Sequence, residues 1–123
     1  MTKILLVEDD VFLSSVLKNR LLKENFEVVL AHDGEEAIKL LKTEKPNLIL
    51  LDLILPKKSG FEVMEEIRSD PSLAVEEVPI IIISNLGQET DIQKGEELGA
   101  VEYFVKAKTS LDDLVEKIKE FLA

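Results

Sequence analysis

The stretch that most constrains the fold is the apolar run Leu48–Leu51, which ends directly at the carboxylate of Asp52. Four consecutive apolar residues predict a strand buried on both faces, which is typical of a central strand in a parallel sheet. Residues 59–62, Ser-Gly-Phe-Glu, predict a capping box that opens a helix soon afterwards. Ligands of open α/β sheets bind beyond the carboxyl ends of the strands. Asp52 therefore lies where a functional site is expected, although a lone Asp after an apolar strand can also simply cap a loop.

Strand-like and helix-like apolar patterns alternate along the whole chain. Short apolar runs predict five strands, at residues 4–7, 26–30, 48–51, 80–83 and 101–105. Apolar residues at helical spacing predict five helices, which begin near Val11, Asp33, Ser59, Gln88 and Ser110. This alternation predicts a single α/β domain in which helices cover both faces of one parallel sheet.

Three local features qualify this pattern. Residues 72–77 predict a polar connection between the third helix and the fourth strand. The fourth helix is poor in apolar residues and contains Gly95, so we expect it to be among the least stable elements. The last helix is expected to bury an apolar stripe made of Leu114, Val115, Ile118, Phe121 and Leu122.

Composition excludes several classes of function. The 123 residues carry a net charge of −10, which repels a polyphosphate backbone and argues against direct binding of nucleic acid. The chain has no cysteine, and so no disulfide framework and no thiolate metal site. No apolar run is long enough to span a membrane, and the N-terminus does not have the pattern of a signal peptide. We therefore expect a cytoplasmic protein.

Ionic or polar side chains follow four of the five predicted strands. The first strand ends at Glu8, Asp9 and Asp10, the third at Asp52, the fourth at Ser84 and the fifth at Lys106. Each has a plain explanation as a cap or a surface residue, but together they would meet at one edge of the sheet. Two carboxylates about 4 Å apart repel by about 4 kcal/mol at an effective dielectric of 20, so the cluster needs a cation. Oxygen ligands without His or Cys select Mg²⁺ or Mn²⁺.

A hydrated metal ion beside a free carboxylate suits phosphoryl transfer. In this interpretation Asp52 attacks in line as the nucleophile, and the product is an aspartyl phosphate. The Lys106 ammonium neutralises phosphoryl oxygens, and the Ser84 hydroxyl donates a hydrogen bond to one of them.

Over its whole length, residues 1–123, the chain resembles the receiver domains of two-component response regulators. The resemblance rests on Val7-Glu8-Asp9-Asp10, residues 52–56 with Ser59-Gly60, residues 80–84, Gly99-Ala100 and Tyr103-Phe104-Val105-Lys106. It implies a flavodoxin-like, doubly wound five-stranded parallel sheet with strand order 2-1-3-4-5 and five helices. It also implies a signalling domain that takes a phosphoryl group from a phosphohistidine and is not an enzyme beyond its own phosphorylation and dephosphorylation.

The resemblance assigns a role to each site residue. Asp52 is the phosphoacceptor, and Ser84 and Lys106 bind the phosphoryl group. Asp9 is a direct metal ligand, Glu8 holds metal-bound water, Asp52 also binds the metal, and the carbonyl of Ile54 completes the protein ligands. Tyr103 is an aromatic switch that turns inward with Ser84, and this movement re-forms the surface of the fourth helix, fifth strand and fifth helix. An ordinary half-buried aromatic residue in a strand would have the same sequence pattern. Asp10 is expected to cap a helix, and His32 to be a surface loop residue.

The implied partners are a sensor histidine kinase or phosphotransfer protein and a downstream protein target. The chain is expected to be a monomer or a phosphorylation-dependent dimer, with no direct contact to nucleic acid or membrane.

Four residues depart from the family pattern or modulate it. Ala107 replaces the usual proline after Lys106, and because a cis bond before a non-proline residue costs about 3–4 kcal/mol, we predict a trans bond and a rearranged loop. The bulkier Asn85 replaces a small residue and is expected to narrow access to the phosphoryl pocket. Ile54 and Leu86 lie two residues after Asp52 and Ser84, and neither can orient a water molecule. We therefore predict slow self-dephosphorylation.

Three other readings remain open from the sequence. A phosphohydrolase with an aspartate nucleophile usually has a second acid two residues later, where this chain has Ile54. The chain is expected to act without an output domain of its own, but a receiver excised from a larger transcription factor or hybrid kinase would have the same sequence. A degenerate receiver that is never phosphorylated is the third, because of Ala107.

Overall fold

The computed structural model describes residues 2–73 and 77–123, and its elements alternate as the sequence predicts. The strands are β1 (Lys3–Val7), β2 (Glu27–Ala31), β3 (Leu48–Leu51), β4 (Ile80–Ser84) and β5 (Glu102–Val105). The α-helices are α1 (Val11–Lys23), α2 (Gly34–Glu44), α3 (Gly60–Ser69), α4 (Glu89–Glu97) and α5 (Leu111–Leu122). Short 3-10 helices form at Pro71–Leu73 and Lys106–Lys108.

The five strands form one sheet in the order β2-β1-β3-β4-β5, and every pair of neighbours is parallel. The predicted flavodoxin-like strand order is therefore confirmed. The side chains of Leu48–Leu51 are fully buried, as expected of a central strand. Because all strands run the same way, their carboxyl ends lie together at one edge of the sheet.

Alternating side chains divide the core into two layers. Leu5 and Val7 of β1 pack with α2 and α3 on one face of the sheet. Ile4 and Leu6 of the same strand pack with α1 and α5 on the other face. This period of two, on a strand that is apolar throughout, is the physical basis of a doubly wound sheet.

The caps predicted at Asp10 and Ser59 are confirmed, and Asp33 and Ser110 cap the helices predicted to begin near them. Asp10, Asp33, Ser59 and Ser110 each accept a hydrogen bond from the backbone N–H three residues later. Ser59 also forms the complete capping box with Glu62. Each such cap is worth about 0.5–2 kcal/mol, so the helix starts beside the carboxyl edge of the sheet are fixed locally.

Some boundaries and burial patterns differ from the predictions. Strand β2 begins at Glu27 because the N–H of Phe26 instead donates to the carbonyl of Leu21 at the end of α1. The connection after α3 is not wholly polar, since Leu73 is buried in the 3-10 helix; residues 74–76 of this prediction lie outside the described residues. Phe121, which was expected to be buried, is 38% exposed. The apolar face of α5 continues from Ile118 to Leu122, four residues later, which packs against the core in its place.

Within residues 2–73 and 77–123, no helix has the length and hydropathy needed to cross a bilayer.

Candidate functional site

Backbone hydrogen bonds between neighbouring strands continue beyond the ends of β1 and β3 and position two carboxylates of the site, Glu8 and Asp52. The N–H of Asp52 donates to the carbonyl of Val7 at 3.0 Å, and the N–H of Glu8 donates to the carbonyl of Ala31, also at 3.0 Å. These bonds hold Glu8 and Asp52 side by side where β1 and β3 end. The predicted meeting of the strand ends is therefore confirmed.

Glu8, Asp9 and Asp52 form a carboxylate cluster. Each offers one oxygen, and these three oxygens lie within 4.8 Å of one another. Glu8 is 1% exposed and Asp52 3% exposed, whereas Asp9 is exposed to solvent. The cluster opens into a pocket of about 370 Å³, lined by Glu8, Asp9, Asp10, Asp52, Ile54, Asn85 and Lys106.

Lys106 joins the cluster from β5 and pairs with two carboxylates at once. Its Nζ donates a hydrogen bond to Oδ2 of Asp52 at 2.9 Å and lies 2.8 Å from Oε1 of Glu8. The described residues contain no cis peptide bond, so the predicted trans bond before Ala107 is confirmed. Residues Lys106–Lys108 form a 3-10 turn, and the ammonium of Lys106 lies in the site; the predicted rearrangement of this loop stays a prediction.

Two opposing effects act on the pKa values of the site: burial disfavours the charged forms, and ion pairing favours them. Burial raises the pKa of the Glu8 carboxyl above its ordinary value, and the neighbouring charge of Asp52 acts in the same direction, while Lys106 opposes both. Burial alone would lower the pKa of Lys106, but its pairing with the carboxylates of Glu8 and Asp52 outweighs this and raises it. The ammonium therefore remains charged, and one cation serves two buried carboxylates.

The residues present fit a hard divalent cation. Oε1 of Glu8 is buried, and although it pairs with Lys106 the geometry is not that of a hydrogen bond, so this oxygen accepts none. Three carboxylates with oxygen ligands alone are the donor set that Mg²⁺ or Mn²⁺ selects. Ile54 lines the same pocket, and its N–H donates to Oδ1 of Asp52 at 3.3 Å. Asp10 is the N-cap of α1, as predicted.

Ser84 and Tyr103 lie beside the pocket and are connected through Leu86. Ser84 is fully buried at the end of β4, and its Oγ accepts a hydrogen bond from the N–H of Leu86 at 3.3 Å. The hydroxyl of Tyr103 donates to the carbonyl of Leu86. Tyr103 is half-buried and packs against the core, and this burial, with the charges of Asp91 and Asp52, raises its pKa to about 12.

Sequence reasoning missed two contributors to the site. One is the backbone of Leu86, for which an apolar residue two positions after a strand gives no signal. The other is Gly60, where a β-carbon would lie 2.3 Å from the carbonyl oxygen of Asp52. The glycine directly after the N-cap Ser59 was the available signal, because a close backbone approach requires the missing side chain. His32 is an exposed loop residue, as predicted.

Comparison with known proteins gives a consistent result. The family model of the response regulator receiver domain matches residues 4–119. The chain is 41% identical over 122 residues to the transcriptional regulatory protein CpxR of Klebsiella pneumoniae, covering 99% of this chain and 50% of that protein. It is also 41% identical over 104 residues to a probable transcriptional regulator of Cyanophora paradoxa, covering 85% of this chain and 41% of that protein. The chain thus spans about half, or less, of the length of these relatives.

Solved structures agree with the sequence matches. The non-phosphorylated HemR receiver domain of Leptospira biflexa has 29% sequence identity and a TM-score of 0.89, covering 100% of this chain and 95% of that one. A two-component response regulator of Clostridium difficile also has 29% identity and a TM-score of 0.89, covering 99% of this chain and 96% of that one. With its strand order and the acidic pocket beside β1 and β3, the chain belongs to the family of response regulator receiver domains.

Proposed function

We propose that residues 1–123 form one receiver domain in which Asp52 accepts a phosphoryl group from a phosphohistidine of a partner protein. The observation that carries this proposal is the position of Asp52. Its carboxylate is 3% exposed, lines an open acidic pocket and is paired with Lys106 at 2.9 Å. A buried nucleophile beside a cation and an open pocket is the arrangement that phosphoryl transfer needs.

The transfer step follows from this geometry. One carboxylate oxygen of Asp52 bonds to phosphorus while the bond between phosphorus and the donor imidazole nitrogen breaks. The electrons of that bond leave with the imidazole, which takes up a proton from water. Lys106 exchanges its carboxylate contacts for phosphoryl oxygens, which is possible because its ammonium already lies within hydrogen-bonding distance of the nucleophile.

Glu8, Asp9, Asp52 and the carbonyl of Ile54 would hold Mg²⁺ or Mn²⁺ at the pocket. When bound, the ion supplies positive charge that offsets the carboxylates and the transferring phosphoryl oxygens. The buried Oε1 of Glu8, which accepts no hydrogen bond, and the cluster of three carboxylates support this assignment.

The signal would leave the site through Ser84, Leu86 and Tyr103. A hydrogen bond from Ser84 to a phosphoryl oxygen reorients the hydroxyl that now accepts from the N–H of Leu86. Because the carbonyl of Leu86 holds the hydroxyl of Tyr103, movement of this backbone changes the position of the ring. The surface of α4, β5 and α5 is thereby altered, which suits binding of a downstream protein or dimerisation of the receiver.

An exposed apolar rim supports a protein as the phosphoryl donor. Val11 is 71% exposed, Phe12 79% and Ile54 55%; Ile54 lines the acidic pocket, and Val11 and Phe12 follow Asp10, which also lines it. A sensor histidine kinase or phosphotransfer protein with an apolar surface around its histidine would fit this rim. Catalysis by the receiver would be limited to its own phosphorylation and dephosphorylation, in the cytoplasm and without direct contact to nucleic acid or membrane.

A second candidate is that this receiver is part of a longer transcriptional regulator. The names of the CpxR-type relatives, and the half of their length that the chain spans, favour it. The phosphoryl chemistry proposed for Asp52 is the same in both cases.

Intact mass spectrometry tests the proposal. The protein is incubated with a small acyl phosphate and Mg²⁺, beside an Asp52→Asn control. We expect a gain of one phosphoryl group that is absent without the metal and absent in the control. An unchanged mass would favour the degenerate reading, and Ala107→Pro and Asn85→Ala would then be the first variants to measure.

A further inference from the structure

Gly95 lies at the closest approach of α4 to the sheet. Among the residues of α4, all of which the structure describes, it alone is buried. A β-carbon at residue 95 would lie 2.7 Å from Cδ1 of Ile82 and 3.3 Å from Cδ2 of Tyr103. The first distance is shorter than real β-carbon contacts, and the second is tighter than most of them. An alanine at this position would therefore displace one of these side chains.

Ile82 and Tyr103 are neighbours across the sheet. They are paired in register between β4 and β5, so their side chains project from the same face, toward α4. Gly95 packs against both side chains from α4. The hydroxyl of Tyr103 donates a hydrogen bond to the carbonyl of Leu86, which fixes the position of the ring. We call the surface formed by Gly95 and Ile82 the Tyr103 seat.

Two contacts with α3 also hold helix α4 in place. Nη1 of Arg68, on α3, donates to the carbonyl of Glu97 in the last turn of α4 at 3.0 Å. Nζ of Lys94 lies 4.6 Å from the centre of the Phe61 ring, also on α3. Because both contacts oppose a shift of α4 away from the sheet, we expect a larger side chain at residue 95 to displace Ile82 and the Tyr103 ring instead.

We propose that Gly95 is a positioning residue of the switch: its missing β-carbon makes the space in which the Tyr103 ring rests while the hydroxyl bonds Leu86. The inference rests on the proposed role of Tyr103 and extends it. Side-chain volume at residue 95 sets how strongly the seated position of the ring is favoured over a displaced one. The glycine that weakens α4 as a helix is therefore also what allows the ring to pack beneath that helix.

The chain itself supplies the probe for a test. It contains one tyrosine and no tryptophan, so tyrosine fluorescence and its near-ultraviolet circular dichroism report on Tyr103 alone. We expect Gly95→Ala to increase quenching of this fluorescence by acrylamide and to weaken the dichroic signal. Glu96→Ala, an exposed change on the same helix, is the matched control and should leave both signals at wild-type values.

Two outcomes would overturn the inference. The first is a Gly95→Ala protein with wild-type quenching and dichroism and a higher unfolding midpoint, which is the result for an ordinary glycine in a helix. The second concerns the added substitution Ile82→Val, which removes the clashing Cδ1 and should return the signals of Gly95→Ala partly to wild type. No recovery in this double variant would mean that packing at the seat is not the cause.

Phosphorylation separates this inference from the proposed function. Residue 95 does not line the acidic pocket, so Gly95→Ala should gain the phosphoryl group in the mass assay as wild type does. A wild-type protein that gains none would contradict the proposed function, whereas the tyrosine signals would still decide whether Gly95 seats the ring.

Discussion

Replacing Lys106 by methionine should destabilise the receiver and make its stability strongly dependent on Mg²⁺. Within the described residues, this ammonium is the one cation in salt-bridge range of Glu8 and Asp52. Methionine keeps most of the apolar side chain but leaves two buried carboxylates next to each other without a cation. The structure therefore predicts a lower free energy of unfolding for Lys106→Met in metal-free buffer.

The magnitude follows from the geometry. The Glu8 and Asp52 oxygens lie within 4.8 Å, a separation at which two unit charges repel by about 3 kcal/mol at an effective dielectric of 20. Removing one partner of a buried ion pair typically costs about 3–5 kcal/mol. This cost already includes the repulsion between the carboxylates, so the two values are not added. The Lys106 side chain is 17% exposed, so solvent screens part of the interaction and the lower end applies. We expect a loss of about 3 kcal/mol.

Urea denaturation at neutral pH, with a chelator and then with Mg²⁺, measures both parts of this prediction. A cation bound only to the folded state adds about 2.7 kcal/mol at a concentration of roughly 100 times its Kd. The gain should be larger in Lys106→Met than in wild type, because the ion no longer competes with the ammonium. Lys108→Met, an exposed change two residues away, is the control. If the two variants are equally stable in the chelator, the argument that Lys106 offsets buried carboxylate repulsion is wrong.

Three further predictions test other parts of the site. Asp10→Ala should lower the free energy of unfolding by about 1 kcal/mol through loss of the α1 cap, while phosphorylation in the mass assay still occurs; loss of phosphorylation would instead make Asp10 part of the site. Ile54→Asn combined with Leu86→Gln should shorten the lifetime of the phosphoryl group, because polar side chains can orient an attacking water, and an unchanged decay of the phosphorylated mass would contradict this. Tyr103 should titrate at about 12 by near-ultraviolet absorbance. Because its folded pKa is raised, its contribution to stability is present below the unfolded value of about 10 and is lost as pH rises toward 12. Tyr103→Phe should lack this loss.

Much of the fold was predictable because local and global signals agree. The run Leu48–Leu51 is apolar throughout because both of its faces are covered, and the carboxylate at residue 52 marks where the strand ends. The helix caps were also predictable from the sequence. An Asp or Ser side chain at the start of a helix can accept a hydrogen bond from the free N–H three residues later, which favours a helix start at that residue. The exposure of Phe121 was not predictable, because periodicity gives the direction of a side chain but not whether another element covers it.

The composition of the site was predictable, but its connections were not. Strand ends place Glu8, Asp52 and Lys106 at one edge, whatever the details of the loops. The link from Ser84 to Tyr103 runs through the peptide groups of Leu86, and backbone groups carry no residue-specific signal. With Ala107 in place of the usual proline, Lys106 still lies in the pocket, because it directly follows the last residue of β5.

The charge balance of the site suggests how the proposed parts would act together. With Glu8 ionised, three carboxylates face one ammonium, which leaves two negative charges that a single divalent cation would balance. A phosphoryl group on Asp52 adds negative charge again, now farther into the pocket. Lys106 can follow that charge only if another cation remains with Glu8, because an unpaired buried carboxylate is costly. In the proposed function, metal binding, phosphorylation and movement of Lys106 would therefore be coupled by electrostatics, and removing the metal should leave Lys106 paired with Glu8 and Asp52.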